Sequence, residues 1–126
     1  MQLNQITVPS TDLHRSVSFY QTLGLRLIVD ALPRYARFEL PDGDATFSLH
    51  LVDQVATGNG VMVYFEHEAL DEKVASLQAA GIPVDLLPQD QPWGWREARL
   101  KDPDGNQLVL FWGGDYRKNP PWRVKT

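Results

Sequence analysis

Apolar residues recur at helical spacing in two segments of the chain, and the second segment repeats the first after 57 positions. The repeated positions are Leu13, Val17 and Tyr20 in the first segment and Leu70, Val74 and Leu77 in the second. Because residues three and four apart share one face of a helix, the pattern predicts amphipathic helices at about 12–23 and 69–80. Asp12 suits the N-cap of the first helix, and Gly24 and Gly81 stand where a helix ends in a left-handed residue.

Segments rich in aliphatic, β-branched and aromatic residues flank each predicted helix and predict strands. These segments are about 3–9, 25–30, 35–40 and 46–52 in the first half, and about 61–66, 82–87, 96–101 and 107–112 in the second. The turn sequence Pro-Asp-Gly occurs at 41–43 and at 103–105, and each copy predicts a hairpin because its glycine accepts a positive φ. Each half therefore reads strand, helix, strand, strand, strand, with a linker at 54–60.

The repeat predicts an α+β fold of paired βαβββ modules. One helix covers only one face of a sheet, so the other face needs the second module or another chain as a partner. We therefore expect curved mixed sheets around a cavity, with the helices on the outside. Residues 1–112 are expected to form a single domain of two modules, at about 3–53 and 61–112. Residues 113–126 are expected to be a tail, which its prolines keep from being helical at 116–122.

Composition and charge restrict the class of protein. The 126 residues are 43% hydrophobic and 22% charged, which is typical of a globular domain, and no apolar run reaches membrane-spanning length. A formal net charge of -4 argues against a nucleic-acid-binding protein. Met1 leads directly into a strand-like segment, so no signal peptide is expected. Without cysteine there is no disulfide and no thiolate site. We expect a cytoplasmic protein that binds neither nucleic acid nor membrane.

Two short motifs accompany the repeat. Phe19-Tyr20 is followed after three residues by Gly24-Leu25 at the end of the first helix, and Asp-Pro-Asp-Gly-Asn at Asp102–Asn106 precedes the last strand. With the paired βαβββ pattern, these motifs resemble the vicinal oxygen chelate superfamily, which contains glyoxalase I, extradiol dioxygenases, fosfomycin resistance enzymes and bleomycin resistance proteins. The resemblance covers 3–112 and implies the same fold, but a shared fold does not determine the chemistry.

Metal-dependent members of this superfamily hold a divalent ion with His or Glu side chains on the first and last strands of each half. The resemblance places those ligands at Gln5, Ser48, Met62 and Val109. Zinc, nickel, manganese or iron needs three or four converging donors, whereas this set offers a thioether, two neutral oxygens and an aliphatic side chain. We therefore expect no metal and no other cofactor, although the superfamily's enzymes use a divalent ion.

Strand alternation assigns the side chains that face the expected cavity. These side chains are Gln5, Thr7, Ser48, His50, Met62, Tyr64, Glu97, Arg99, Val109 and Phe111. The same alternation places Phe47, Leu49 and Leu51 under the first helix, and Ala98 and Leu100 toward the core. The expected cavity is therefore of mixed polarity.

The segment 92–97 reads Pro-Trp-Gly-Trp-Arg-Glu. It resembles the Pro-Trp-Gly-x-Arg-Glu segment of bleomycin-resistance-type members, which are metal-free homodimers that hold an aromatic or cationic drug in clefts. The resemblance implies a homodimer in which Trp93 and Trp95 stack on a flat ligand. An equal alternative is that they fill a gap at a sheet edge or against a partner chain. Arg96 is expected to fix a neighbouring strand through a salt bridge.

Two functions stay open at this point. The first is a metal-independent protein that binds a small, aromatic or drug-like molecule through Gln5, Ser48, His50, Met62, Tyr64, Trp93, Trp95, Glu97, Arg99, Val109 and Phe111. The second is a lyase, isomerase or dioxygenase that uses His50, Tyr64 and Glu97 as catalytic groups, with or without a divalent metal. A half-buried His50 that hydrogen-bonds Tyr64 or Glu97 is the plainer interpretation of that histidine.

Overall fold

The computed structural model describes residues 1–56 and 60–125. Its elements are β1 (Gln5–Ser10), α1 (Leu13–Leu23), β2 (Arg26–Ala31), β3 (Tyr35–Glu39), β4 (Thr46–Leu51), β5 (Met62–Glu66), α2 (Leu70–Ala79), β6 (Leu86–Asp90), β7 (Arg96–Lys101), β8 (Gln107–Trp112) and a C-terminal 3-10 helix (Gly114–Arg117). The βαβββ order therefore occurs twice, as predicted. No helix within these two described ranges has the length and apolarity needed to span a membrane.

Each half forms a four-stranded mixed sheet. The strand orders are β1-β4-β3-β2 and β5-β8-β7-β6. In both sheets the first and fourth strands of the module pair in parallel, and the remaining pairs are antiparallel. The two sheets thus share one topology, and each has one helix. This confirms the predicted α+β fold of paired βαβββ modules with mixed sheets.

The chain divides into two compact units. The first contains Met1–Gly60 and the turn Asp102–Asn106, and the second contains Val61–Lys101 and Gln107–Thr126. The turn between β7 and β8 therefore belongs to the first unit. That both modules form a single domain stays a prediction. Part of the predicted linker, residues 57–59, lies outside the described residues.

The core of the first unit forms beneath α1. The side chain of Asp12 accepts a hydrogen bond from the backbone N–H three residues on, and Gly24, with a φ of 116°, ends the helix. Both features confirm the predicted boundaries of α1. The rings of Tyr20, Phe38 and Phe47 are buried, and their centroids lie 4.6 to 6.5 Å apart. Close aromatic packing of this kind adds to the free energy gained by burying apolar area.

The core of the second unit follows the predicted periodicity. Leu70, Val74 and Leu77 of α2 are all buried, and Ala98 and Leu100 of β7 are buried with them. Because side chains alternate along a strand, the residues between these two on β7 and its neighbours point to the opposite face of the sheet. That opposite face carries the candidate site.

The predicted strand at 82–87 is displaced in the structure. The strand β6 spans Leu86–Asp90 instead. The backbone N–H of Ile82 donates to the Leu77 carbonyl and closes the end of α2, and Pro83 has no N–H to give to a sheet. The residues directly after Gly81 are therefore used to end the helix, and the strand begins later.

Two further predictions are wrong. Leu51 was expected under α1, but it is 43% exposed because it is the last residue of β4. Residues 116–122 were expected to be non-helical, but the first two of them belong to the turn of 3-10 helix at Gly114–Arg117. The prolines of this segment lie after that turn, at Pro120 and Pro121, so they do not disturb it.

Candidate functional site

Three aromatic side chains lie together on one face of the second sheet. The indole of Trp95 stacks on Phe111, with centroids 4.7 Å apart and an interplanar angle of 28°. Tyr64 meets both rings edge-on, at 5.5 Å from Phe111 and 6.2 Å from Trp95. The register explains the contact, because Tyr64 pairs with Val109 on β8 and is therefore a diagonal neighbour of Phe111 on the same face. The three rings form a continuous apolar wall.

This wall lines a cavity of about 480 Å³, which we call the aromatic cavity. Its lining residues are Tyr64, Glu66, Trp95, Phe111 and Arg117. The volume lies within the range of small-molecule sites, which is roughly 300–1,000 Å³. Glu66 and Arg117 supply the charged groups at its edge. The cavity therefore combines aromatic surface with two opposite charges.

The C-terminal 3-10 helix forms one side of the aromatic cavity. Oε2 of Glu66 accepts hydrogen bonds from the backbone N–H groups of Gly113 at 3.0 Å and Gly114 at 3.2 Å. The first N–H groups of a helix have no partner within the helix, and here the Glu66 carboxylate accepts hydrogen bonds from them. Arg117 at the end of the helix places its Nε 3.5 Å from Oε1 of Glu66. The predicted tail is thus part of the site, and Arg117 was missed because the tail was set apart from the modules.

Glu97 is wholly buried on the same sheet face, opposite Phe111 across the β7–β8 pair. Within the described ranges, neither of its carboxylate oxygens accepts a hydrogen bond. Burial raises the pKa of Glu97, while the Arg99 guanidinium acts in the opposite direction. Buried carboxyl groups normally have hydrogen-bond partners, and those without are concentrated at functional sites.

Most of the predicted site residues of the second module line one of two cavities. Tyr64, Trp95 and Phe111 line the aromatic cavity. A second cavity of about 310 Å³ lies along the same sheet and is lined by Met62, Asp85, Leu86, Arg99, Leu100, Lys101, Gln107, Leu108 and Val109. Trp93 is 40% exposed and lines neither of them.

Arg96 forms ion pairs with two carboxylates. Its Nε and Nη2 donate to Asp71 on α2 at 2.8 and 3.0 Å, and its Nη1 donates to Asp90 on β6 at 3.0 Å. The bidentate pair of hydrogen bonds to Asp71 has the geometry in which arginine binds carboxylates most strongly. The predicted role of Arg96 in fixing a neighbouring strand is therefore confirmed.

In the first sheet, Ser48 is wholly buried and shares a 2.8 Å hydrogen bond with the hydroxyl of Tyr35. That hydroxyl also accepts a hydrogen bond from Nε of Arg37 at 2.8 Å. Partial desolvation acts to raise the pKa of Tyr35, but the bonds to Ser48 and Arg37 outweigh it and lower the pKa. Ser48 is therefore engaged in a side-chain network that the sequence did not reveal.

The remaining predicted residues of the first sheet are more accessible. Gln5, Thr7 and His50 are exposed. Oε1 of Gln5 accepts a hydrogen bond from the hydroxyl of Thr46 at 2.8 Å. The half-buried position expected for His50 is wrong, because the residue lies next to the exposed end of β4.

The donor chemistry at the four metal positions does not fit a divalent ion. On the second sheet these positions hold the thioether of Met62 and the aliphatic side chain of Val109, and on the first sheet the neutral oxygens of Gln5 and Ser48. Across residues 1–56 and 60–125, no group of three or more His, Cys, Asp or Glu side chains is placed to hold an ion. These four positions therefore do not form a ligand set for a divalent ion.

Comparison with known proteins identifies a family. Residues 2–110 match the family model described as Glyoxalase/Bleomycin resistance protein/Dioxygenase superfamily. No curated protein matches the chain.

Solved structures share the fold. One is a glyoxalase/bleomycin resistance protein/dioxygenase from Nocardioides, with 25% identity, a TM-score of 0.77, and coverage of 99% of this chain and 90% of that one. Another is a bleomycin-binding protein complexed with bleomycin, with 21% identity, a TM-score of 0.72, and coverage of 89% and 98%. A third is a lactoylglutathione lyase from Agrobacterium tumefaciens, with 20% identity, a TM-score of 0.71, and coverage of 89% and 93%.

Proposed function

The chain belongs to the glyoxalase/bleomycin resistance protein/dioxygenase superfamily, and we propose that it is a metal-independent protein that binds a small aromatic molecule in the aromatic cavity. The observation that carries this proposal is the wall formed by Tyr64, Trp95 and Phe111. Trp95 and Phe111 stack on each other and hold their rings in fixed planes. A flat ligand can therefore add to the stack without ordering flexible side chains, which favours affinity.

Three further observations support binding rather than metal-dependent catalysis. The positions at which the superfamily's enzymes hold their ion carry side chains that do not fit one. The charged groups of the aromatic cavity, Glu66 and Arg117, lie at its edge, where they can orient a ligand. A protein of this fold was solved as a complex with bleomycin, so the fold is compatible with binding a drug-sized molecule.

We also propose that the protein is a homodimer. The edge strands of the two sheets include β2 and β6, and each of these two exposes an aliphatic side chain, Ile28 at 47% and Leu87 at 52%. Natural proteins usually cover or charge such edges, and a second copy of the chain is the simplest cover. Light scattering at micromolar concentration tests this, and a pure monomer contradicts it. A cytoplasmic location stays a prediction from composition.

A second candidate function follows from Glu97. A buried carboxyl with a raised pKa, next to an aromatic cavity, has the properties of a general acid or base. In that case the protein is a lyase, isomerase or dioxygenase in which Glu97 exchanges a proton with the substrate, with Tyr64 as the other candidate group on this sheet. Turnover that Glu97→Gln abolishes while the variant still binds ligand favours this alternative.

Binding is tested with an uncharged aromatic probe, 2-naphthalenemethanol, by titration calorimetry. We expect Trp95→Leu to weaken binding by about ten-fold, because one stacking partner is lost. Trp112→Leu is the matched control, since Trp112 is the next residue after Phe111 on β8, points to the other face, and is not part of the cavity. Absence of binding by the unmodified protein, or equal losses in both variants, overturns the proposal.

Metal dependence is tested on the same protein. It is incubated with Zn²⁺, Ni²⁺, Mn²⁺ or Fe²⁺, desalted, and analysed for retained metal. We expect less than one tenth of an ion per chain, on the order of adventitious binding, because the donor sets are incomplete. One ion per chain contradicts the metal-independent proposal and makes the enzyme the better interpretation.

A further inference from the structure

We propose that Arg117 selects the ligand, so that the aromatic cavity takes an aromatic acid, a flat ring that carries a carboxylate, in preference to an aromatic amine. This inference rests on the proposed function above and adds the chemical class of the ligand. It turns on which of the two charged groups at the cavity edge still has hydrogen-bonding capacity to offer. Glu66 has one oxygen already hydrogen-bonded and the other facing Arg117, whereas Arg117 donates no hydrogen bond within residues 1–56 and 60–125.

The carboxylate of Glu66 already interacts with other groups of the protein. Its Oε2 already accepts two backbone hydrogen bonds, from Gly113 and Gly114, and its Oε1 faces the guanidinium of Arg117. A cationic ligand can bind Glu66 only by sharing a carboxylate that already accepts two backbone hydrogen bonds and faces the Arg117 guanidinium. Its attraction to Glu66 is also opposed by the positive charge of Arg117 a few ångströms away.

The guanidinium of Arg117 is still available. Its side chain is 49% exposed, and Glu66 is its only ion-pair partner in the described part of the chain, at 3.5 Å through Nε. It donates no hydrogen bond to any residue from 1–56 or 60–125. A guanidinium carries five N–H donors in a planar fork that matches a carboxylate, so an anionic group of the ligand finds a strong partner here.

The backbone holds Arg117 in place. The 3-10 helix that carries it is anchored at its start by the two bonds to Glu66, and the ring of Tyr116 packs over Gly94 at the other side of the same turn. A donor on a fixed element loses less conformational entropy on binding than one on a free tail. The aromatic wall and the cationic group therefore act as one preformed site.

The other charged groups of this sheet face do not reverse the preference. Glu97 is buried opposite Phe111 but is not among the residues that line the aromatic cavity. Burial favours its neutral form, and Arg99 lies near enough to act on its titration. Arg99 itself lines the smaller cavity and adds positive charge on this side of the sheet. Among the residues that line the aromatic cavity, the acidic side chain that opposes a ligand anion is Glu66, whose charge Arg117 balances.

Three probes of nearly equal size and the same ring test the inference: 2-naphthoate, 2-naphthalenemethanol and 2-naphthylmethylamine. Dissociation constants are measured by calorimetry at pH 7 and low salt. We expect naphthoate to bind about ten-fold more tightly than the alcohol, and the amine to bind no better than the alcohol. In Arg117→Gln the preference for naphthoate is expected to fall to within about two-fold, with little change for the alcohol.

The matched control is Lys118→Gln, which removes the same charge from the next residue, outside the aromatic cavity. It should keep the preference for naphthoate. Binding of the alcohol and amine as tight as that of naphthoate, or equal losses in both variants, overturns the inference and leaves the proposed function intact. Failure of all three probes to bind overturns the proposed function and the inference with it.

Discussion

The hydroxyl of Tyr20 donates a hydrogen bond of 2.6 Å to Oδ2 of Asp102, and both side chains are buried. Asp102 also accepts bonds from the side-chain amide of Asn106 at 2.8 Å and, through Oδ1, from the backbone N–H groups of Asp104 and Asn106 at 2.9 Å. Burial, and then the carboxylate of Asp102, raise the pKa of Tyr20, so its hydroxyl stays protonated and donates. The Phe-Tyr motif and the Asp-Pro-Asp-Gly-Asn motif are therefore two ends of one buried polar network.

Tyr20→Phe removes the donor and leaves the buried carboxylate with fewer partners. We expect the free energy of unfolding to fall by about 1.5–3 kcal/mol, the usual loss for a hydrogen bond to a charged group. Urea denaturation at pH 7 measures it. Tyr116→Phe is the control, because Tyr116 is 42% exposed and its hydroxyl makes no hydrogen bond within the described chain, so its effect should stay under about 0.5 kcal/mol. Equal losses in the two variants contradict the network.

Asp104 makes stability depend on acid pH. Its carboxylate is almost wholly buried and accepts hydrogen bonds from the backbone and hydroxyl of Thr11 at 2.9 Å, from Ser16 at 2.9 Å and from Arg15 at 3.0 Å. Burial acts to raise the pKa of Asp104, but the bonds from Thr11 and the nearby serines lower it overall.

A carboxylate whose pKa is lower in the folded than in the unfolded chain stabilises the fold above the unfolded pKa, about 3.9, and loses that contribution as the pH falls through the folded pKa. Asp104→Asn should therefore lower stability most at pH 7 and show a shallower loss between about pH 5 and pH 2 than the unmodified chain. Urea denaturation across this range measures both slopes. If the stability of the two proteins falls equally with pH, Asp104 is not the source of this acid dependence. Asp71, whose pKa is lowered by its bonds to Arg96, remains in both proteins and adds the same acid dependence to each.

Most of the fold was predictable because its signals are local. The periodicity of α1 and α2, the cap at Asp12 and the left-handed Gly24 each depend on a few neighbouring residues, and the structure confirms them. The displaced β6 was not predictable in the same way. An apolar run after Gly81 reads as a strand, but the hydrogen bond from Ile82 to α2 decides where that strand begins.

From the sequence, only the site residues that follow from strand alternation could be predicted. Alternation on β5 and β8 places Tyr64 and Phe111 on one face, and the structure brings them together with Trp95. Arg117 escaped prediction because its position depends on the contact of Glu66 with the backbone of the tail. The sequence of the tail contains no pattern that reports a bond formed with a strand about 50 residues earlier.

We expect Glu97 to destabilise the fold at neutral pH. Its pKa is raised by burial, so its folded form holds a proton more tightly than the unfolded chain does. Such a group favours folding below its unfolded pKa, about 4.3, and loses that contribution as the pH rises through the folded pKa. Glu97→Met, which keeps the volume and removes the unpaired oxygens, should raise the free energy of unfolding at pH 7 by about 1–3 kcal/mol.

The gain from Glu97→Met should shrink toward pH 4, where the carboxyl of the unmodified chain is mostly protonated in both states. Denaturation at pH 7 and pH 4 measures the difference. Ala98→Gly on the same strand should change the free energy of unfolding equally at both pH values, so it controls for general effects of substitutions on β7. A loss of stability at pH 7 in Glu97→Met contradicts the prediction and indicates that the carboxylate has a partner.

Gly94 affects both the stability of the second unit and the position of the residues beside its aromatic cavity. Its φ is 86°, and a β-carbon there would collide with the ring of Tyr116. Gly81 has a similar φ of 89°, but a β-carbon there meets nothing within 4 Å. Both Gly→Ala changes should cost about 1–2 kcal/mol for the left-handed backbone. Only Gly94→Ala should also displace Tyr116, and Arg117 with it, so that binding of 2-naphthoate weakens about ten-fold in this variant and not in Gly81→Ala. Thermal denaturation and calorimetry on both variants separate the two effects. If naphthoate binds equally well to both, the position of Arg117 does not depend on the packing of Tyr116.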